Sequence, residues 1–179
     1  MEKINEDNSI KEAASLAAVC DAAIVICGLT PEWESEGFDR PTLSLPRRQD
    51  ELITKVARAN PRTVVVLQTV SFRGFIHLRL DSDSPAQGSA VSMPWVNEVD
   101  SILQAWLSGN EVGNAVADVL YGKANPSGKL PLTLPARIED VPSYLSFGSE
   151  NGKVVYREDI FVGYRHYQAR KIKPLFPFG

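Results

Sequence analysis

Eight residues, "AAIVICGL" from Ala22 to Leu29, decide the fold class. The run is apolar throughout and rich in β-branched side chains. It reads as a strand buried on both faces, the pattern of a parallel sheet rather than a half-exposed hairpin. Upstream, Ser9-x-x-Glu12 is a capping box and predicts a helix running to about Cys20, where Asp21 ends it. Ala13, Leu16, Ala17 and Cys20 give that helix an apolar stripe. Downstream, Pro46 sits at a favoured first-turn position of a second helix, followed by Leu52, Ile53, Val56 and Ala59 at helical spacing. Asn60-Pro61 stops that helix. "TVVVLQT", Thr63 to Thr69, is a second buried strand. Helix, strand, helix and strand joined by short links predict an α/β fold: a three-layer α/β/α sandwich with a mostly parallel sheet.

The remainder is less periodic. "SILQAWL", residues 101–107, is a third strand candidate interrupted by Gln104. Asn110 is placed to cap a helix through Leu120, ended by Gly122. "NPSGKLPLTLP", residues 125–135, is a turn and a short extended piece; it lacks the GxxxxGK[ST] phosphate-loop frame. From 136 to 179 prolines and aromatics mix without period, so residues 1–135 read as the α/β domain and 136–179 as an irregular tail that wraps another surface. Within that tail "YREDIFVGYRHY" alternates aromatics and charges and reads as a strand.

Composition narrows the function. A chain of 179 residues with 44% hydrophobic content can build one domain core. The net charge of -3, with no basic run, gives a nucleic-acid partner no electrostatic footing. No apolar stretch has the length of a membrane span, and the polar, acidic first residues do not read as a signal peptide. Cys20 and Cys27 lack CxxC spacing and read as buried thiols. His77 and His166 are far apart with no partner pattern, so no metal is expected. Trp95 and Trp106 lie in apolar surroundings and read as core. No GxGxxG follows a strand, which argues against a nucleotide-binding α/β protein.

The chemistry concentrates in "PEWESEGFDR", Pro31 to Arg40, directly after the first strand. Open α/β sheets bind ligands outside the carboxyl ends of their strands, and this run leaves such an end. Glu32, Glu34 and Glu36 stand at alternate positions around Trp33. An aromatic ring suits the C–H face of a pyranose. Crowded carboxylates raise one another's pKa, as a general acid near neutral pH requires. A solvated acidic loop is the plainer alternative. A glycosidase needs two carboxyl groups flanking one bond, and a single short loop supplies one of them.

Several stretches together carry a family resemblance: "WESEGFDRPTLSLPRRQDELITKVARANPRTVVVLQT", "SAVSMPWV", "GNEVGNAVADVLYGKANPSGKLPLTLP" and "VYREDIFVGYRHY" with "PLFPFG". In that order, over about residues 12–179, they resemble glycoside hydrolase family 3, the β-glucosidases. The resemblance implies part of the α/β sandwich domain, truncated at its N-terminal side. The family's (β/α)8 barrel, bearing the nucleophilic aspartate, and a following fibronectin-III-like domain are absent from this chain. It implies a retaining hydrolase acting on terminal β-D-glucosyl residues, without metal or cofactor. It gives the general acid/base role to Glu36 in "SEGF", with Glu34 the alternative. Trp33 would border the site of the departing group, and Asp39 and Arg40 would brace the loop. The fragment alone is expected to be inactive. A non-catalytic sugar-binding or docking module is the rival from another class.

Two departures from the pattern stand out. The missing first strands would leave one side of the sheet bare. Also, Val70 to Gln87, "VSFRGFIHLRLDSDSPAQ", interrupts a motif that otherwise reads through as "VVVLQTGSAVSMPW". The interruption is 18 residues, or 54 nucleotides, starting with a valine codon (GT) and ending with a glutamine codon that can close on AG. That is the form of an in-frame, unspliced intron. A genuine surface loop is the alternative, although Phe72, Phe75, Ile76, Leu78 and Leu80 are awkward to expose.

Overall fold

The computed structural model describes residues 5–34, 37–71 and 87–179. The chain divides into two units, Met1–Lys123 and Ala124–Gly179. The first holds helix α1 (Glu6–Ala18), strand β1 (Ala23–Gly28), helix α2 (Gln49–Ala59), strand β2 (Thr63–Gln68), the two-residue strands β3 (Val70–Ser71) and β4 (Gln87–Gly88), strand β5 (Ser101–Gln104) and helix α3 (Val112–Leu120). β1, β2 and β5 form a parallel sheet in the order β1-β2-β5. Val25 lies opposite Val65, which lies opposite Ile102. This is the α/β fold the apolar runs predict.

The core sits around β2. Val65, Val66 and Leu67 are wholly buried, as are Ile53 of α2, Val91 and Trp95. A central parallel strand is covered on both faces, and its unbroken β-branched run reflects that. β1 differs from the expectation. Val25 and Cys27 are buried, but Ile24 and Ile26 are 49% and 62% exposed. β1 is an edge strand with one face bare, so burial alternates along it even though the sequence does not.

Helix boundaries shift in ways that local chemistry explains. α1 is capped by Asn5, whose side chain accepts from the Asn8 amide, and Ser9 lies inside the helix. Glu6 and Asp7 fill the first turn, where the helix dipole favours anions. α2 begins at Gln49 rather than Pro46, because Arg47 takes a left-handed conformation (φ 53°) that no helix continues through. α3 starts after Glu111, with no side-chain cap from Asn110. The stop signal at Asn60 has a second use. Its buried amide donates to the carbonyls of Ala17 (2.9 Å) and Cys20 (2.8 Å), tying the end of α1 to the end of α2. Cys20 is exposed, against expectation, because it lies past the last helical turn; Cys27 is buried. Trp106 is only partly buried and holds a positive φ of 51°.

In the second unit Leu134 bridges to Phe176, and both Leu134 and Tyr167 are buried. The stretch expected to be a strand instead contains helix α4 (Tyr164–Arg170). Gly163, at φ 53°, breaks the extended run, and Lys171 in the left-handed region closes the helix. Arg137 and Asp140 pair at 3.0 Å across a 3-10 turn. No helix of the described residues is long and apolar enough to cross a membrane.

Candidate functional site

The loop from Leu29 to Arg48 leaves the carboxyl end of β1 and returns into α2. Three sets of contacts hold it. At its root, the Gln49 side chain accepts from the Gly28 amide (2.9 Å) and donates to the Gly28 carbonyl (3.0 Å). At its far end, Asp50 accepts from the Trp95 indole (2.7 Å) and from the Leu45 backbone amide. The Ser92 amide also donates to the Leu43 carbonyl at 2.8 Å.

The third set lies among the acidic residues. Thr30 starts a tight turn whose carbonyl accepts from the amides of Trp33 (2.9 Å) and Glu34 (3.0 Å). Arg40 approaches Glu34 at 3.5 Å and donates to the Ala90 carbonyl at 2.7 Å. The Ser89 hydroxyl donates to Glu34. The Glu34 and Arg40 side chains are only 15% and 12% exposed. Burying two opposite charges is costly unless both are paired and hydrogen-bonded; here Glu34 accepts from Ser89 and Arg40 Nη2 donates to Ala90, while Arg40 Nη1 meets no acceptor among the described residues. Burial pulls the Arg40 guanidinium below its ordinary pKa, against the opposing pull of the Glu34 carboxylate.

The three glutamates therefore differ. Glu32 is exposed, and hydrogen bonds from its own backbone and from Thr30 hold its carboxyl below the usual range. Glu34 faces the Arg40 guanidinium at 3.5 Å. Glu36, the candidate acid/base, lies outside the described residues, as does Ser35. Trp33 is half-buried, and its indole N–H meets no acceptor among the described residues. Asp39 is exposed; of the Asp-Arg pair it is Arg40 that reaches Glu34. Among the described residues no group of three His, Cys, Asp or Glu side chains could hold a metal.

Sequence reasoning missed Ser89, Gln49 and Asp50. Gln49 and Asp50 carry the ordinary signal of polar residues opening a helix. Ser89 lies 55 residues from its partner Glu34 and has no local signal. An apolar groove of about 370 Å³ between α1 and β1, lined by Leu16, Ile24 and Ile26 among others, contains none of the acidic loop.

Comparison with known proteins places this geometry. The model of the glycosyl hydrolase family 3 C-terminal domain matches residues 1–79 and 84–164. "Probable beta-glucosidase I" of Emericella nidulans is 47% identical over 174 residues, covering 97% of this chain and 19% of that protein. The crystal structure of a β-glucosidase from Kluyveromyces marxianus in complex with glucose superposes with a TM-score of 0.86 at 44% identity, over 99% of this chain and 19% of that one. A family 3 β-glucosidase structure from Bifidobacterium adolescentis gives a TM-score of 0.82 at 38% identity, over 99% and 24%. This chain thus spans about a fifth of the length of the relatives it matches, and it belongs to glycosyl hydrolase family 3, within the C-terminal domain.

Proposed function

We propose that this chain supplies the general acid/base of a β-glucosidase that removes terminal non-reducing β-D-glucosyl residues with retention, and that Glu36 is that group. One observation carries the reading: the acidic loop stands at the carboxyl end of a parallel strand in a family 3 domain, fastened at its root, middle and far end. Glu34 is already engaged by Arg40 and Ser89, which favours its neighbour for proton transfer. Glu36 protonates the glycosidic oxygen while an aspartate on the barrel attacks the anomeric carbon. It then takes a proton from water as the glucosyl-enzyme is hydrolysed. Trp33 borders the departing group, and Arg40 braces the loop. The nucleophile belongs to polypeptide outside this chain, so the chain alone turns over no glucoside, because residues acting as a unit fail together.

The test is a chimera in which this chain replaces the matching portion of the Kluyveromyces marxianus enzyme. Glu36→Gln is expected to cost roughly 10²–10⁴-fold in turnover of cellobiose. Aryl glucosides with good leaving groups, which need little protonation, should lose much less. Equal losses on both substrates, or none, would overturn the acid/base role.

A second reading, a carbohydrate-binding module, draws on the Trp33 indole N–H, a donor without an acceptor among the described residues. It requires the isolated chain to bind glucose or cellobiose, to lose binding in Trp33→Ala, and to be indifferent to Glu36→Gln.

A further inference from the structure

We infer that Ser89 is a positioning residue for the acid/base loop, acting through Glu34. This rests on the reading of Glu36 given above and extends it to a residue on a different segment of the chain.

Ser89 follows β4, which pairs antiparallel with β3 through Val70↔Gly88 and Ser71↔Gln87. Its amide donates to the Thr69 carbonyl at 2.9 Å, one residue beyond the end of β2. Thr69 is itself wholly buried, and its hydroxyl accepts from the Gln104 side-chain Nε2 at 2.7 Å. The Ser89 backbone is thereby fixed to the carboxyl end of the central strands. From there its hydroxyl donates to one Glu34 oxygen, while the next carbonyl, of Ala90, accepts from Arg40. Arg40 closes the ring by approaching the other Glu34 oxygen.

Three segments meet in this ring: the turn at 30–34, Arg40, and the Ser89-Ala90 backbone. Two of its contacts to the loop come from side chains of the loop itself. Ser89 contributes a side-chain contact from outside the loop and, with the Arg40–Ala90 bond, references the loop to the sheet. Glu34 and Glu36 are two residues apart, a span of at most about 7 Å of chain. On this proposal, loosening the turn at 30–34 loosens the chain that carries the proton donor. A misplacement of ~1 Å can cost on the order of 100-fold in rate.

The first test is made on the chain itself, by amide hydrogen exchange. In Ser89→Ala the Trp33 and Glu34 amides, both bonded to Thr30, should exchange about 10-fold faster or more, while Val65 and Leu67 in β2 keep their rates. Ser89→Thr, which retains the hydroxyl, should restore the slow exchange. Unchanged loop exchange in Ser89→Ala would overturn the inference. So would equal acceleration in loop and core, which marks a general loss of stability.

The second test uses the chimera. Ser89→Ala should lower kcat about 10-fold or more on cellobiose with KM little changed, and Ser89→Thr should recover most of it. Glu36→Gln in the same background separates the two ideas. If Glu36→Gln is silent while Ser89→Ala loosens the loop, the acid/base reading fails and the positioning contact stands. If Glu36→Gln is crippling while Ser89→Ala changes neither exchange nor kcat, the positioning role fails alone.

Discussion

The Gln49 side chain lies on the Gly28 peptide as the backbone of a neighbouring strand would, accepting from its amide at 2.9 Å and donating to its carbonyl at 3.0 Å. β1 is an edge strand, and this amide stands in for a missing partner at the point where the acidic loop departs. Gln49→Leu should cost about 1–3 kcal/mol by urea unfolding, because two part-buried backbone groups lose their partners. Gln49→Glu keeps the acceptor but sets a carboxylate against the Gly28 carbonyl, so its cost should shrink on acidification. On the other side of the same peptide, a Cβ at Gly28 would stand 2.2 Å from the Gln68 carbonyl oxygen. Gly28→Ala should therefore cost roughly 2–3 kcal/mol by overpacking the β1–β2 pair. A neutral Gly28→Ala would show that the two strands are not so closely paired.

Asp50 predicts a pH dependence of stability. Burial raises its carboxyl pKa above the ordinary 3.8, outweighing the hydrogen bonds from Trp95 and Leu45 that lower it. A raised folded-state pKa means that the native state binds more protons than the unfolded chain in the window above 3.8. The contribution of this group is thus fully present below that value and is lost as pH rises through the folded-state pKa. Urea unfolding across pH 3–7 should show the native chain losing ground against Asp50→Asn as pH increases. A difference that is constant, or that grows with pH, would contradict this account.

The two cysteines should separate cleanly. Cys20 is exposed, whereas burial, with the Asp50 charge nearby, pushes the Cys27 thiol up to about 12. Only the thiolate reacts, so a disulfide reagent at pH 8 should titrate Cys20 quickly and Cys27 only after denaturant is added. Rapid reaction of both in the folded chain would contradict the burial of β1's inner face.

The interruption at Val70 to Gln87 makes a prediction about nucleic acid. Residues 72–86 lie outside the described residues, but the flanks do not: Val70 pairs with Gly88, and the Ser89 amide donates to the Thr69 carbonyl. The two ends of the segment are therefore neighbours, and joining Thr69 to Gly88 spans no gap. The family match breaks at residues 80–83 and resumes at 84, so it is interrupted inside the segment rather than across all of it. We propose that these codons are retained intron. Sequencing of spliced transcripts should find them missing, and the chain with residues 70–87 deleted should keep its cooperative unfolding. Mature transcripts and peptides carrying the segment would establish it as a genuine loop.

What could be read from the sequence follows from the range of each interaction. The runs at Ala22–Leu29 and Thr63–Thr69 announce buried parallel strands, because β-branched content and bounding Asn-Pro signals are local. Which strand lies at the edge is not local. The exposure of Ile24 and Ile26 depends on what packs against that face of β1, which no single run records. The start of α1 is misread for a simpler reason: the Ser9-x-x-Glu12 pattern points to Ser9, whereas the helix opens one turn earlier at the Asn5 cap, with Glu6 and Asp7 in its first turn. In the candidate site, the acidic loop was legible because it directly follows a strand. Its fastening was not, since Ser89 and Trp95 reach it from across a 45- to 55-residue gap.

The uncovered face of β1 has a practical outcome. Ile24 and Ile26, together with Leu16 (66% exposed) across the groove on α1, form an oily ledge on the first unit. An exposed apolar ledge of this kind is expected to favour self-association at high concentration, while the core around β2 is expected to govern melting. Replacing Ile24 and Ile26 with threonine, which keeps the strand preference, should raise the solubility ceiling and the yield of dispersed protein far more than it alters thermal midpoint.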